Sequence, residues 1–482
     1  MEENNLKKKE KGLSALQLTM MALGTVIGGS FFLGSAIAIH AAGPSIIISY
    51  IFGGVLVYFI LFALSEMTVA NPDAGSFRTF AALAFGRGTG FVVGWVYWTG
   101  MVLAMSSEAT AVSILVREWI PNMSIALLGS IIIICVTLLN LLGADKLSKL
   151  ESGLATVKLL AIMSFIIIAI LLIIGLFPGN SAIGTGELFR EPLMPGGIKG
   201  IAGSMLIVMF SYAGFEIIGL AASEARNPKE TVPKAIKYTV LCLVGLYIIS
   251  VVVLLPLLPT VDISENTSPM VAALNRWGIG WAGTVINMVL ITAILSTMLA
   301  SMFGLGRMMR SLAKEGLAPN WLNDKKDVPY RGILFSGFAM LIGLGFGLLV
   351  PRVYLFLISS GGFALLFTYA AIMATHIHFR KKNGRPADRK CEMYGYPYTS
   401  LFVLFSLIII IVSMPFVPGQ ASGLIAGMIM VAFYILSYVV MKYYNILHKK
   451  HSTLQSLDII KYQEPLSAEF SKELTETDKK DN

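Results

Sequence analysis

Charge is what this chain has least of. Asp, Glu, Lys and Arg make up 13% of its 482 residues, against about 25% in soluble globular domains. With 56% apolar residues and a mean hydropathy of +0.75, that scarcity excludes a water-soluble fold. Cysteine is nearly absent. Cys135, Cys242 and Cys391 are scattered, which excludes a disulfide framework and a Cys-based zinc site. Histidine is as sparse, with five residues. His376-x-His378 falls at the end of an apolar run, where contact with water or lipid headgroups is expected rather than a metal. No cofactor and no metal site is expected anywhere in the chain.

What is present is a succession of long apolar runs. A bilayer span needs roughly 20 mostly apolar residues. Twelve such segments are read, near 14–39, 45–69, 91–117, 124–142, 152–176, 198–221, 235–256, 281–306, 332–350, 353–378, 400–417 and 421–444. Short polar loops join them, so one polytopic membrane domain over 14–447 is expected, between a cytoplasmic N-terminus (1–13) and a polar tail (448–482). The tail contains Pro465 and no apolar period, and is expected to be disordered in the cytoplasm. Lys7-Lys8-Lys9 before the first run resembles a secretory signal, but that run is too long and eleven others follow. With the N-terminus inside, the cytoplasmic side collects 31 Lys and Arg and the outer side five, Arg117, Arg190, Lys199, Arg276 and Arg352. The positive-inside bias places both termini in the cytoplasm. The net charge of +9 is this asymmetry, and no nucleic-acid partner is implied.

Two of the segments are broken by glycine at mid-membrane depth. Segment 1 reads Leu23-Gly24-Thr25-Val26-Ile27-Gly28-Gly29-Ser30, and segment 6 reads Phe210-Ser211-Tyr212-Ala213-Gly214-Phe215-Glu216. Glycine costs roughly 1 kcal/mol in a helix interior. Broken helices survive in a bilayer only where the freed backbone is buried or lines a cavity. A matched pair in corresponding halves points to a transporter's binding site. Unwinding frees N–H groups at Gly29 and Ser30, a place for a carboxylate. It also frees carbonyls at Thr25, Val26 and Ile27, suited to an ammonium. Phe210, Ser211, Tyr212, Ala213 and Gly214 repeat the arrangement. Together they fit a zwitterion. Close helix packing through Gly24-xxx-Gly28 is the competing reading of the first break.

Ionisable residues inside spans are functional candidates by default. Lys158 in segment 5 either loads and loses a proton in a transport cycle or snorkels to the cytoplasmic end. Glu108 in segment 3 could bind a substrate amine, relay protons or pair structurally. Glu216 is expected to hydrogen-bond the unwound backbone and hold the second break open. Glu66, Asp73 and Glu224 are read as solvated caps, or as partners of Arg78, Arg226 or Arg307 in a cytoplasmic gate. Ser296 and Thr297 in segment 8 either bond to their own helix or face Lys158 as part of a cation site.

The motifs resemble the amino acid–polyamine–organocation superfamily, and most closely its bacterial amino acid permeases. Gln17-x-x-Met20-x-Ala22-Leu23-Gly24-x-x-Ile27-Gly28 resembles that family's first helix. Ser65-Glu66-Met67 with Pro72-x-x-Gly75-Ser76-Phe77 resembles its second, and Gly94-Trp95-x-Tyr97-Trp98 the start of its third. Gly214-x-Glu216 with Glu224-x-x-Asn227-Pro228-x-x-Thr231-x-Pro233-x-Ala235 resembles its sixth, and Arg307-Met308-x-x-Ser311-Leu312-Ala313-x-x-Gly316-x-Ala318-Pro319 the end of its eighth. The resemblance implies an all-α membrane protein of twelve transmembrane helices with the leucine-transporter-type 5+5 inverted repeat plus two helices. The repeats fall at about 14–176 and 198–378, and the extra helices at 400–444. It implies alternating access, a bacterial plasma membrane, and a helix-5 lysine in place of a bound sodium ion, a position Lys158 matches. Phe215, Gly28-Gly29-Ser30 and Leu299-Ala300-Ser301 depart from the family's usual residues near the pocket.

The expectation is a secondary active transporter, not an enzyme, importing a neutral, apolar amino acid by proton symport. An exchanger is the alternative, with a cationic amino acid or polyamine carrier behind it. A channel would want a polar line through several helices, whereas the polar groups here cluster at the breaks. An intramembrane enzyme would want a nucleophile–base pair or metal ligands at one depth. The partners are then the amino acid, the proton and membrane lipid, and the carrier is a monomer or a weak homo-oligomer.

Overall fold

A computed structural model describes residues 13–70, 77–179, 181–220, 225–324, 328–385 and 392–448, without the side chains of 144–153, 155, 219–220 and 444–448. All regular structure among them is helical apart from a single bridge between Leu13 and Ala225. The expectations for the N-terminus, Asp73, Glu224, Cys391 and the tail beyond 448 lie outside the described residues.

The first apolar segment is three helices. α1 (Ala15–Val26) opens on a capping box between Ser14 and Gln17, α2 (Gly29–Phe32) follows the break, and α3 (Gly34–Ala42) continues past a turn at Leu33. α4 (Ile46–Ala70), α5 (Phe77–Phe85), α6 (Arg87–Val116), α7 (Ile125–Asn140) and α8 (Ala144–Ile174) complete the first half. Segment 6 is α9 (Gly197–Ser211) and α10 (Ile217–Leu220), separated by a five-residue turn. Then come α11 (Pro228–Leu254), α12 (Pro269–Arg276), α13 (Gly280–Lys314), α14 (Tyr330–Leu348), α15 (Val353–Asn383), α16 (Tyr398–Ser413) and α17 (Ala421–His448). Among the described residues nine helical runs are long and apolar enough to cross a membrane. Three shorter apolar helices, α1, α7 and α9, accompany them. Two of these, α1 and α9, are short because they stop at the glycine breaks.

The apolar residues divide by partner. α6 and α15 are mostly buried, whereas α17 presents most of its surface outward, as a helix facing lipid would. Small residues bring the central helices together. A Cβ on Gly100 of α6 would stand 2.5 Å from that of Ala364 on α15. Several helices run past their apolar stretch. α13 continues to Lys314 because Arg307 and Arg310 are buried within the bundle.

Three polar expectations change. Glu66 is not a solvated cap. It is 1% exposed, and its carboxylate accepts from the Met393 N–H at 3.0 Å and pairs with Arg380 at 3.2 Å. His376 is not at a wet helix end. It is buried, with Nε2 3.4 Å from Glu66 and Nδ1 bonded to Ser400. Arg78 forms a two-pronged pair with Glu315 and does not meet Glu66. The α15 end carries Arg380 back onto α4, and the linear sequence holds no signal of that long-range pairing. A carboxylate inside the bundle has to be matched by a cation or by several hydrogen-bond donors, because an unpaired buried charge costs several kcal/mol.

Candidate functional site

The site grows out of unmade backbone bonds. α1 ends where Ile27 turns extended (φ −74°, ψ 103°), and Gly28 follows, also extended (φ −143°, ψ −164°). The last bond of α1 is the Ile27 N–H to Leu23 at 3.3 Å, and the next begin with Phe31 and Phe32 donating to Gly28. The N–H groups of Gly29 and Ser30 and the last carbonyls of α1 are therefore left to side chains.

Those side chains come from three other segments. Glu108 of α6 accepts from the Gly29 N–H at 2.7 Å and from the Ser30 N–H at 3.4 Å. Lys158 of α8 donates to the Gly24 carbonyl at 2.7 Å, the Ile27 carbonyl at 3.2 Å and Thr297 Oγ1 at 2.9 Å. Thr297 of α13 also donates to the Ile27 carbonyl at 3.0 Å. Lys158 is 1% exposed, so it does not snorkel. Its ammonium sits on carbonyls and a hydroxyl, a donor set of the kind that coordinates a monovalent cation. Ser296 is buried one residue away, and on α13 the described hydrogen bond to Lys158 is that of Thr297.

The second break is wound on the first. Gly214 has φ +105°, a conformation that glycine adopts without strain. A Cβ there would stand 3.2 Å from the Thr25 carbonyl. Thr25 Oγ1 faces the Gly214 carbonyl at 3.4 Å, and Ser211 Oγ donates to the Ser30 carbonyl at 3.0 Å. Thr25, Ala213 and Gly214 are half-buried, while Val26 to Ser30 and Phe210 to Tyr212 are buried. The junction of the breaks is thus less tightly packed than the residues on either side of it. Phe210 lies against Gly361 and Gly362 of α15, and Phe215 against Tyr369.

Glu216 works on the second break from within. Its Oε2 accepts from the Gly214 N–H at 3.0 Å and from Tyr369 at 3.2 Å, and Oε1 accepts from Tyr97 at 3.0 Å. Removing it leaves one buried donor, Tyr369, and two half-buried ones, Tyr97 and the Gly214 N–H, without this acceptor, and a buried donor left unsatisfied costs about 1–3 kcal/mol. Glu216→Ala is therefore expected to melt several degrees below the parent in detergent and to transport poorly. Glu216→Gln, which keeps one acceptor, should fall between them. A Glu216→Ala carrier that melts with the parent would show that the turn holds itself.

Sequence reasoning named Tyr212 but gave no role to four other tyrosines. Tyr97 and Tyr369 hold Glu216, Tyr354 donates to the Gly29 carbonyl at 3.2 Å, and Tyr247 donates to the Ser211 carbonyl at 3.2 Å. Tyr247 also stacks on Phe31 with ring centroids 3.7 Å apart. A phenol inside a span needs an acceptor, and that requirement was the available signal. Which acceptor each one finds depends on helix packing.

Comparison with known proteins agrees with this architecture. The amino acid permease family model matches residues 17–455. A gamma-aminobutyric acid permease of Bacillus subtilis is 31% identical over 439 residues, covering 90% of this chain and 94% of the relative. The amino-acid permease RocC of the same organism is 31% identical, with 94% and 98% covered. The aromatic amino acid transport protein AroP of Escherichia coli O157:H7 is 32% identical, with 86% and 91% covered. Broken helices, intramembrane charges and end-to-end similarity agree: the chain belongs to the amino acid permease family, as a multi-pass membrane transporter of amino acids and not an enzyme.

Proposed function

We propose that this protein imports a neutral, apolar amino acid across the bacterial plasma membrane by proton symport, alternating access around the two breaks. The observation that carries the reading is Lys158 seated on the Gly24 and Ile27 carbonyls and on Thr297. An ammonium there can release a proton and let the carbonyl cluster change shape, which couples proton movement to the first break. The α-carboxylate goes to the N–H groups of Gly29 and Ser30, and the α-ammonium to the carbonyl side, beside Thr25 and Gly214. Phe210, Phe215, Val26 and Ile27 favour an apolar side chain. The twelve spans comprise two inverted five-helix repeats, α1–α8 and α9–α15, followed by α16 and α17. Both termini face the cytoplasm, as the Lys and Arg asymmetry of the loops requires.

The relatives named above differ in substrate, from gamma-aminobutyric acid to aromatic amino acids. The side chain selected here therefore has to come from competition among the twenty common amino acids. Proteoliposomes with an imposed inward proton gradient test the coupling. One proton driven by 100 mV is worth about 2.3 kcal/mol, so uptake should reach roughly 40-fold accumulation. No accumulation, with uptake appearing only when amino acid is preloaded inside, would make the carrier an exchanger.

A further inference from the structure

Glu108 stands where a substrate's carboxylate has to stand. Its two oxygens take the N–H groups of Gly29 and Ser30, which the helix itself leaves unused because its first bonds start at Phe31. The half-helix they open does not stop at Phe32. It runs on past Leu33 to Ala42, within a single apolar run to Ala70. The occupant is a buried, charged group from a different segment, 4% exposed. It fills the space as well as the bonds. A Cβ on Gly28 would stand 3.1 Å from Oε1, and one on Gly29 would stand 2.5 Å from Oε2. Two carboxylates cannot share these two N–H groups, so Glu108 and a bound amino acid exclude one another. Nor are the oxygens turned toward a substrate ammonium, since both face backbone donors.

We propose that Glu108 is a placeholder for the substrate carboxylate. It occupies the anion subsite in the empty carrier, and it takes up one proton as the amino acid displaces it. The proposal rests on the amino acid reading above and assigns Glu108 a step within it. The titratable groups that face Glu108 are Lys158 on α8, Tyr247 on α11 and Tyr354 on α15. Lys158 already donates to three acceptors, Tyr354 to the Gly29 carbonyl and Tyr247 to the Ser211 carbonyl. A displaced carboxylate would have to take a donor from one of these or lose its charge. In an apolar interior the charge is the expensive part. The proton goes onto the freed carboxylate oxygen, and the incoming carboxylate inherits the two N–H bonds, so charge at the subsite is conserved.

The probe is the labelled amino acid taken up best from an equimolar mixture of the twenty. Purified wild-type carrier, in weakly buffered detergent with a pH indicator, should take up one proton for each probe molecule bound. Glu108→Gln replaces charge-assisted bonds by weaker neutral ones, so that variant should bind the probe several-fold tighter and take up no proton. The probe's carboxamide, which lacks the anion, should fail to bind the wild type. Wild-type binding without proton uptake overturns the placeholder, as does weaker binding by a folded Glu108→Gln carrier, the result expected of a mere structural cap. If that variant does not fold, the wild-type proton count decides alone. A wild type that binds none of the twenty amino acids would instead overturn the amino acid reading.

Discussion

Lys158→Ala is expected to abolish accumulation of amino acid under a proton gradient while leaving the carrier folded. The reason lies in two opposed contributions of similar size. The ammonium makes three hydrogen bonds, to the Gly24 and Ile27 carbonyls and Thr297 Oγ1, and a bond from a charged group contributes about 1.5–3 kcal/mol. Holding the charge 1% exposed carries a desolvation penalty of several kcal/mol in the other direction. Truncation removes both, and Thr297 still serves the Ile27 carbonyl at 3.0 Å. Stability then changes little, whereas the only cation tying α8 to the break at Ile27 among the described contacts is gone. Lys158→Arg should fail as well, because a planar guanidinium cannot direct three donors at a compact cluster the way an ammonium does. Detergent melting temperature and gradient-driven uptake, measured on the same preparations, separate the two effects. An alanine variant that still accumulates its substrate would remove Lys158 from proton coupling.

Much of this site was legible because its parts break rules that apolar spans otherwise obey. A glycine pair at Gly28-Gly29, a single glycine at Gly214, a lysine at 158 and glutamates at 108 and 216 are all costly in a bilayer, and each has a place in the geometry of the two breaks. The direction of the partial charges at the first break was also legible, since it follows from chain direction alone. What the one-dimensional pattern could not supply was the partner of each polar group. Glu66 lay in a plausible cap position, and only the packing of α15 against α4 brings Arg380 and His376 to it. Arg78 found Glu315, 237 positions away. The anion end of α2 was expected to await a ligand's carboxylate, and the chain's own Glu108 lies there. Helix register and crossing angle decide such pairings, and hydropathy carries neither.

Gly29→Val is the second substitution with a large expected effect, and the loss should be of function with modest loss of stability. A Cβ at this position meets Glu108 Oε2 at 2.5 Å, the Ala111 Cβ at 3.2 Å and Ile294 Cδ1 at 3.2 Å. The Ala111 Cβ is fixed to the α6 backbone and cannot recede without shifting that helix, whereas Ile294 Cδ1 on α13 is the end of a side chain and has to give by a few tenths of an ångström. Glu108 can recede, but only by giving up the Gly29 N–H, and a β-branched side chain then covers the donor that the substrate carboxylate needs. Overpacking of this kind costs about 1–3 kcal/mol, which a bundle of this size survives. Binding, by contrast, loses its anion subsite. Gly245 in α11 is the internal control, since no atom lies within 4 Å of its would-be Cβ. Gly245→Ala should stabilise the carrier by about 0.4–1 kcal/mol through the unfolded chain and transport normally. A Gly29→Val protein that binds its amino acid as the parent does would place the carboxylate elsewhere than at the N–H groups of Gly29 and Ser30. A Gly245→Ala protein that loses transport would show that glycine content in these helices serves motion rather than access.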